Sequence, residues 1–220
     1  MDPARVTPVG GTPGEGLGPF RPRSRTKRGI DLAVAGVGLL VAAPVLAACA
    51  AVIRIVDGPP VLFRQWRSGR GGTPFELCKF RTMAAGSDDP ATDGARVTPL
   101  GRFLRSTSLD ELPTLWNVVR GEMSLVGPRP LPVRYLERYT PEQARRLEVD
   151  PGVTGLAQVR GRNRLAWEDR FALDVAYVEH RGLGLDLRIL AATARLVVAG
   201  DGVEADGSVT AAEFTGPRRP

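Results

Sequence analysis

The sequence predicts an α/β fold that is mostly helical, with a small β-hairpin, a helical segment inserted in a membrane at the N-terminal side, and amphipathic helices at the membrane interface. Three observations carry this. No charged residue occurs from Leu32 to Ile53, and a straight helix of that length rises roughly 33 Å, enough to cross a bilayer core. Phe75–Arg81 alternates apolar and polar residues after a turn marked by Gly69, Gly71 and Gly72, the period of a half-buried strand. Beyond residue 100 apolar positions recur mostly at helical spacing, which outweighs the strand signals.

The 220 residues suit one domain with appendages, divided at 1–26, 27–56, 57–200 and 201–220. Residues 1–26 are rich in Pro, Gly, Thr and Arg without periodicity, the composition of a disordered arm. Its end, Arg21, Arg23 and Arg25 with Lys27 and Arg28, suits anionic lipid headgroups. The apolar segment within 27–56 follows. Pro44 lies in its middle, where it lacks an N–H and crowds the carbonyl of Leu40. Basic residues flank both sides, with Arg54, Arg64, Arg67 and Arg70 after the run, and the positive-inside rule then puts both ends in the cytoplasm. A helix–break–helix that re-enters by the same face satisfies both facts; a kinked spanning helix is the ordinary alternative. A third reading takes Leu46–Cys49 as a lipid-attachment box, against which the apolar run continues to Ile53.

Val61–Gln65 and Phe75–Arg81 read as the two strands of the hairpin. Ala84–Arg96 is small and polar, an exposed loop. Leu100–Val119 is helical, interrupted at Pro113; Ser124–Val126 is a short strand; Leu131–Leu147 is helical with a break at Thr140-Pro141; Pro151–Gly155 is a turn. Trp167, Phe171, Val175 and Val178 share one helical face, read as core. Leu187, Leu190, Ala194 and Val197 share another, which suits either core or the membrane interface. After Gly200 a polar tail ends loosely at Gly216–Pro220.

The balance of 30 Lys and Arg against 24 Asp and Glu, net +6, calls for an anionic partner. Two cysteines, Cys49 and Cys78, form no disulfide framework or zinc pattern. The lone histidine, His180, sits between Glu179 and Arg181 and reads as a solvated helix end. The chemistry concentrates in Leu104–Pro113. Ser108 and Glu111 have the spacing of a capping box, although a cap at Ser108 places Pro113 too deep in a helix. The functional alternative makes Asp110 and Glu111 a working pair, with Asp110 a nucleophile or magnesium ligand and Arg105 a phosphate holder. In Gly127-Pro128-Arg129-Pro130 two prolines fix the backbone around one guanidinium able to bind phosphate bidentately, or display a solvated arginine on a rigid turn. Lys79 and Arg81, two apart on a strand, share a face that lines an anionic pocket or meets water.

These segments resemble the bacterial sugar transferase family, the monotopic polyprenyl-phosphate phosphoglycosyltransferases of the small single-domain type. The matching residues are Lys27–Asp31, Lys79–Met83, Arg105–Pro113, Gly121–Pro130, Pro151–Val159 and Gly161-Arg162-Asn163. The resemblance runs from Lys27 to about Gly216. It implies a re-entrant helix broken at Pro44, with Ala43 standing where many members have Ser. It implies that Asp110, as nucleophile and Mg²⁺ ligand, attacks a UDP-sugar, releases UMP and passes the phosphosugar to undecaprenyl phosphate, with Glu111 assisting and Lys79, Arg81, Arg105 and Arg129 binding phosphates. The implied setting is the cytoplasmic face of a bacterial inner membrane, at the first membrane step of exopolysaccharide, capsule or glycoprotein glycan synthesis, ahead of downstream glycosyltransferases. Residues around Arg162 and the tail are candidates for choosing the sugar. Two other classes compete: a membrane scaffold, which loss of Asp110 or Arg129 would favour, and a nucleic-acid binder, which needs basic residues interleaved with aromatics on one surface. Neither pattern is present, so no nucleic-acid partner is expected.

Overall fold

A computed structural model describes residues 23–86, 93–161, 165–199 and 213–216. The uncharged run becomes a single helix, α1 (Arg25–Val56), capped by the Ser24 hydroxyl, which accepts from the Lys27 amide. It is the one described helix long and apolar enough to cross a membrane. Helical structure continues across Pro44, so the expected break is not an interruption of the helix. One face of α1 lies against the rest of the molecule: Asp31, Ala35 and Ile53 are buried, and Leu46, Cys49 and Ala50 pack around Ile53, Phe80 and Leu104. Cys49 is thus a packing residue inside a helix that runs on to Val56. The opposite face has no protein partner among the described residues, Leu40 being 77% and Ile55 81% exposed.

The hairpin forms from β1 (Leu62–Ser68) and β2 (Pro74–Phe80), antiparallel, with Phe63 opposite Lys79. A short helix α2 (Asp93–Arg96) leads to α3 (Pro99–Ser106), which starts at a Thr98 cap with proline in its first turn. Then come a 3-10 turn, Leu109–Thr114, and α4 (Leu115–Arg120). Leu100–Val119 is therefore helical in three pieces. β3 (Ser124–Val126) pairs in parallel with β4 (Gly152–Thr154). The Pro151–Gly155 segment, expected as a turn, is thus a strand. Gly127 and Gly152 are the physical reason: a Cβ on Gly152 would sit 2.0 Å from the Gly127 nitrogen, so only glycine lets these backbones close up.

The predicted helix over Leu131–Leu147 is replaced by a 3-10 segment, Val133–Arg138, a single helical turn α5 (Pro141–Ala144) and another 3-10 segment, Arg145–Glu148. Three prolines, 130, 132 and 141, deny this stretch the donors of a long helix. After α6 (Leu156–Arg160), α7 (Trp167–His180) buries Phe171, Val175 and Val178 as its apolar stripe requires. α8 (Leu183–Ala199) buries Asp186 and Ile189 but leaves Leu187 and Val197 exposed. Of the expected stripe, Leu190 packs against the main core, so α8 gives one face to the core and leaves the Leu187 and Val197 side open.

The main core joins α1, α4, β3, α7 and α8 through Ala35, Val118, Val126, Val178 and Ile189. Burying each such side chain contributes about 1.5–3 kcal/mol. A second cluster is aromatic, with Tyr135, Phe171 and Phe214. Phe214 anchors part of the polar tail: it is 3% exposed, and its amide donates to the Tyr135 hydroxyl at 3.2 Å; residues 217–220 of the expected loose end lie outside the described residues.

Candidate active site

The site is built where the 3-10 turn Leu109–Thr114 is laid over β2. Thr114 Oγ1 donates to the Cys78 carbonyl at 3.1 Å. Just beyond, Asn117 accepts from the Cys78 amide at 3.1 Å and donates to the Glu76 carbonyl at 2.8 Å. These bonds occupy the free edge of the hairpin and fix the turn against the strand that carries Lys79. The turn begins abruptly. Ser108 has φ 58° and ψ 16°, the only non-glycine residue with positive φ among those described. Such a conformation costs of order 1–3 kcal/mol and persists only where the surroundings impose it.

Ser108 therefore does not cap a helix: its side chain makes no capping bond. Glu111, the other half of the expected capping box, instead accepts from Arg129 Nη2 at 2.7 Å. The capping reading fails because Ser108 takes a left-handed backbone rather than the extended one of a capping residue. What the turn achieves is to bury Asp110, which is 5% exposed.

Burial pushes the Asp110 carboxyl up to about 6, the neighbouring Glu111 charge adds to the rise, and Lys79, Arg105 and Arg129 pull against it. Lys79 is itself lowered to about 8 by burial, and its ammonium lies 5.3 Å from the Phe63 ring centroid. Arg105, on the last turn of α3, is anchored by Nε donating to Thr82 Oγ1 at 2.9 Å and Nη2 to Met83 Sδ at 3.0 Å. Burial lowers its pKa. α3 can come this close because Gly101 has no side chain: a Cβ there would lie 2.0 Å from the Thr82 carbonyl oxygen. Arg129 is displayed between buried Pro128 and Pro130, as its flanking prolines predict. Its carbonyl accepts from Arg146 Nη2 at 2.6 Å, and Arg146 is held by Asp174 at 2.8 Å with both side chains 2% exposed.

The structure thus brings together Lys79, Arg105, Asp110, Glu111 and Arg129. Arg81 is placed elsewhere: its guanidinium donates to the carbonyls of Pro59 and Asp57 at 2.7 and 2.6 Å, closing the turn after α1. His180 is an exposed helix end, its Nδ1 2.9 Å from the Ala176 carbonyl. Of the segment at Gly161, Arg162 and Asn163 lie outside the described residues. Arg67 was legible only as one of several basic residues following the apolar run, yet it stands beside Arg129 and Glu111, lowered to about 10 by burial first and by Arg129 next. Its separation in sequence hides this; only the pairing of Arg67 with Pro132 brings it there.

Among the described residues no three His, Cys, Asp or Glu side chains gather as a metal cage. Asp110 alone offers an uncommitted carboxylate, since Glu111 is tied to Arg129. One carboxylate completed by phosphate oxygens and water is the way Mg²⁺ is ordinarily held, so the donor set fits that ion.

A buried acid faced by cations, beside a helix whose outer face is apolar and unpartnered among the described residues, is the arrangement of a membrane-associated protein that handles phosphate groups. Residues 22–200 match the model of the family described as bacterial sugar transferase, and the chain belongs to that family. It is 47% identical over 193 residues to the uncharacterized sugar transferase EpsL of Bacillus subtilis, covering 86% of this chain and 96% of that one. It is 42% identical over 180 residues to the UDP-glucose:undecaprenyl-phosphate glucose-1-phosphate transferase of Caulobacter vibrioides, covering 76% and 67% respectively. The undecaprenyl-phosphate galactose phosphotransferase of Salmonella typhimurium is 41% identical over 166 residues, 66% of this chain and 35% of that longer one.

Proposed function

We propose that the protein transfers a phosphosugar from a UDP-sugar to undecaprenyl phosphate, releasing UMP. The observation that carries this reading is the Asp110 carboxylate, buried on a strained turn and faced by Lys79, Arg105 and Arg129. A carboxylate is a competent nucleophile toward phosphorus when cations neutralise the charge gathering on the transferring group. An Asp110 oxygen bonds to the sugar-bearing phosphorus as the bond from that phosphorus to the bridging oxygen breaks. The electron pair leaves with the nucleotide phosphate as UMP. A phosphate oxygen of the lipid then attacks the same phosphorus and displaces Asp110, restoring the carboxylate and giving the diphosphate-linked sugar. Lys79 and Arg105 neutralise the transferring phosphate. Glu111 orients Arg129 through their ion pair. Asp110 would hold Mg²⁺, which when bound would supply Lewis-acid charge neutralisation to the phosphates. The relatives named as transferases from UDP-glucose to undecaprenyl phosphate support this choice of donor and acceptor.

The bilayer is approached through α1 and α8. Both ends of α1 are tied to the catalytic domain: Arg28 donates to the Val118 and Val119 carbonyls at 2.6 and 3.0 Å, and Thr98 donates to Asp57 at 3.0 Å. A helix fastened at both ends to one domain keeps both ends on one side of the membrane, here the cytoplasmic face of the inner membrane where nucleotide sugars are found. The test is UMP release by purified protein in lipid nanodiscs with Mg²⁺, undecaprenyl phosphate and single UDP-sugars. Release with one or two donors, absent in Asp110→Asn, is expected; release that persists in the variant sinks Asp110 as nucleophile.

A further inference from the structure

Arg67 is a cation without an anion. Its Nη1 donates to the Pro130 carbonyl at 3.2 Å and its Nη2 to Gln65 Oε1 at 2.5 Å, both neutral acceptors, while its Nε is shut off from solvent and has no hydrogen-bond partner. The nearby carboxylate, Glu111, is taken by Arg129. Arg67 also stands among like charges, with Arg129 and Arg134 both acting against it. Holding a half-buried guanidinium in this setting is costly unless a counter-charge arrives. Gln65 and the Pro130 carbonyl keep it aimed; they do not neutralise it.

The surrounding charges say where that counter-charge belongs. Arg129 pairs with Glu111 at 2.7 Å, and Arg67, bonded to the Pro130 carbonyl and paired with Pro132, stands next to it, while Arg105 is held separately on Thr82 and Met83. A donor with two adjacent phosphates calls for cations beyond those that neutralise the one attacked at Asp110.

We infer that Arg67 is a substrate-binding residue that, with Arg129, holds the nucleotide phosphate of the donor and takes up the charge released when it leaves. This rests on the transferase reading above. Arg67 exchanges Gln65 Oε1 for a phosphate oxygen while keeping the Pro130 carbonyl, and no covalent bond of its own is made or broken. A guanidinium suits the role because its planar fork can meet two phosphate oxygens while still bonded to the carbonyl that orients it.

The test measures binding of UDP, UMP and uridine to the full-length protein in nanodiscs by calorimetry, for wild type, Arg67→Gln and Arg67→Lys. Wild type is expected to bind UDP, and R67Q to bind it about tenfold or more weakly, with uridine affinity unchanged. R67K keeps the charge and folds if a cation is needed there; it is expected to fall between. In the wild-type protein, UDP is expected to protect Arg67 from phenylglyoxal, read by mass spectrometry, which a purely structural arginine would not show. Equal UDP affinity in R67Q and wild type, or no protection of Arg67, overturns this inference and leaves the transferase reading intact. Failure of the wild-type protein to bind any uridine nucleotide overturns both.

Discussion

Burial brings the Asp110 carboxyl up to about 6 and the Lys79 ammonium down to about 8, so the proposed nucleophile and the cation proposed to neutralise the phosphate are both charged only between those values. The rate of phosphosugar transfer is therefore expected to rise with pH through about 6 and to fall above about 8, a bell measured as kcat/KM against pH. Lys79→Arg replaces the titrating cation by one that stays protonated. Its upper limb should disappear if Lys79 sets it and remain if another group does. Stability follows the opposite sign at Asp110. A carboxyl whose pKa is raised on folding stabilises the protein fully below the unfolded value near 3.8, and that contribution is lost as pH rises through about 6. At neutral pH the ionised Asp110 costs the fold about 2–3 kcal/mol by this linkage. Asp110→Asn should therefore raise the thermal midpoint while lowering turnover at least about a thousandfold. A variant that loses both activity and stability would mean that Asp110 is a structural carboxylate and not a destabilised reactive one.

Between elements, the site depends on one side chain that is neither charged nor in contact with Asp110. Asn117 is 1% exposed and bonds the Cys78 amide, the Glu76 carbonyl and Glu122. It completes the free edge of β2 and holds α4 in place behind the 3-10 turn. Asn117→Ala leaves a buried amide and a buried carbonyl unpaired, for which about 2–5 kcal/mol is expected in chemical denaturation. A loss below about 1 kcal/mol would mean that water replaces the side chain there. The sequence made the hairpin, the role of the prolines around Arg129 and the core stripe of α7 legible, because each rests on local chemistry or a short period. It made Asp110 legible through its neighbours Glu111 and Arg105. What it could not convey is pairing at a distance. Arg67 reaches Arg129 only because β1 meets Pro132, and Pro151–Gly155 reads as a turn because its glycines serve close strand approach instead. The left-handed Ser108 was hidden for a different reason: its spacing to Glu111 satisfies a capping box that the backbone does not make.

Across the whole molecule, α1 is attached to the rest of the protein near both of its ends. Near its start, Lys27 pairs with Asp186 of α8 at 2.7 Å, and Arg23 pairs with Asp150 at 2.6 Å. Past its end, Arg81 binds the carbonyls of Asp57 and Pro59. The exposed apolar residues lie between these anchors, at Val37, Leu40 and Val41 on α1, and again at Leu187 and Val198 on α8. Trp116 on α4 and Phe103 on α3 are also exposed, aromatic rings of the kind that suit the headgroup level. A straight helix of α1's length would separate its ends by roughly 46 Å, and a spanning helix would have to pull one anchored end off the domain through the bilayer. Cysteines placed at Ser24 and Gly58, beyond either end of α1, are therefore expected to share one accessibility in intact cells: both protected from a membrane-impermeant maleimide until the membrane is permeabilised. A background lacking Cys49 and Cys78 keeps the readout clean, and retained UMP release shows that the variants are folded. Labelling of one position and not the other would establish a spanning helix.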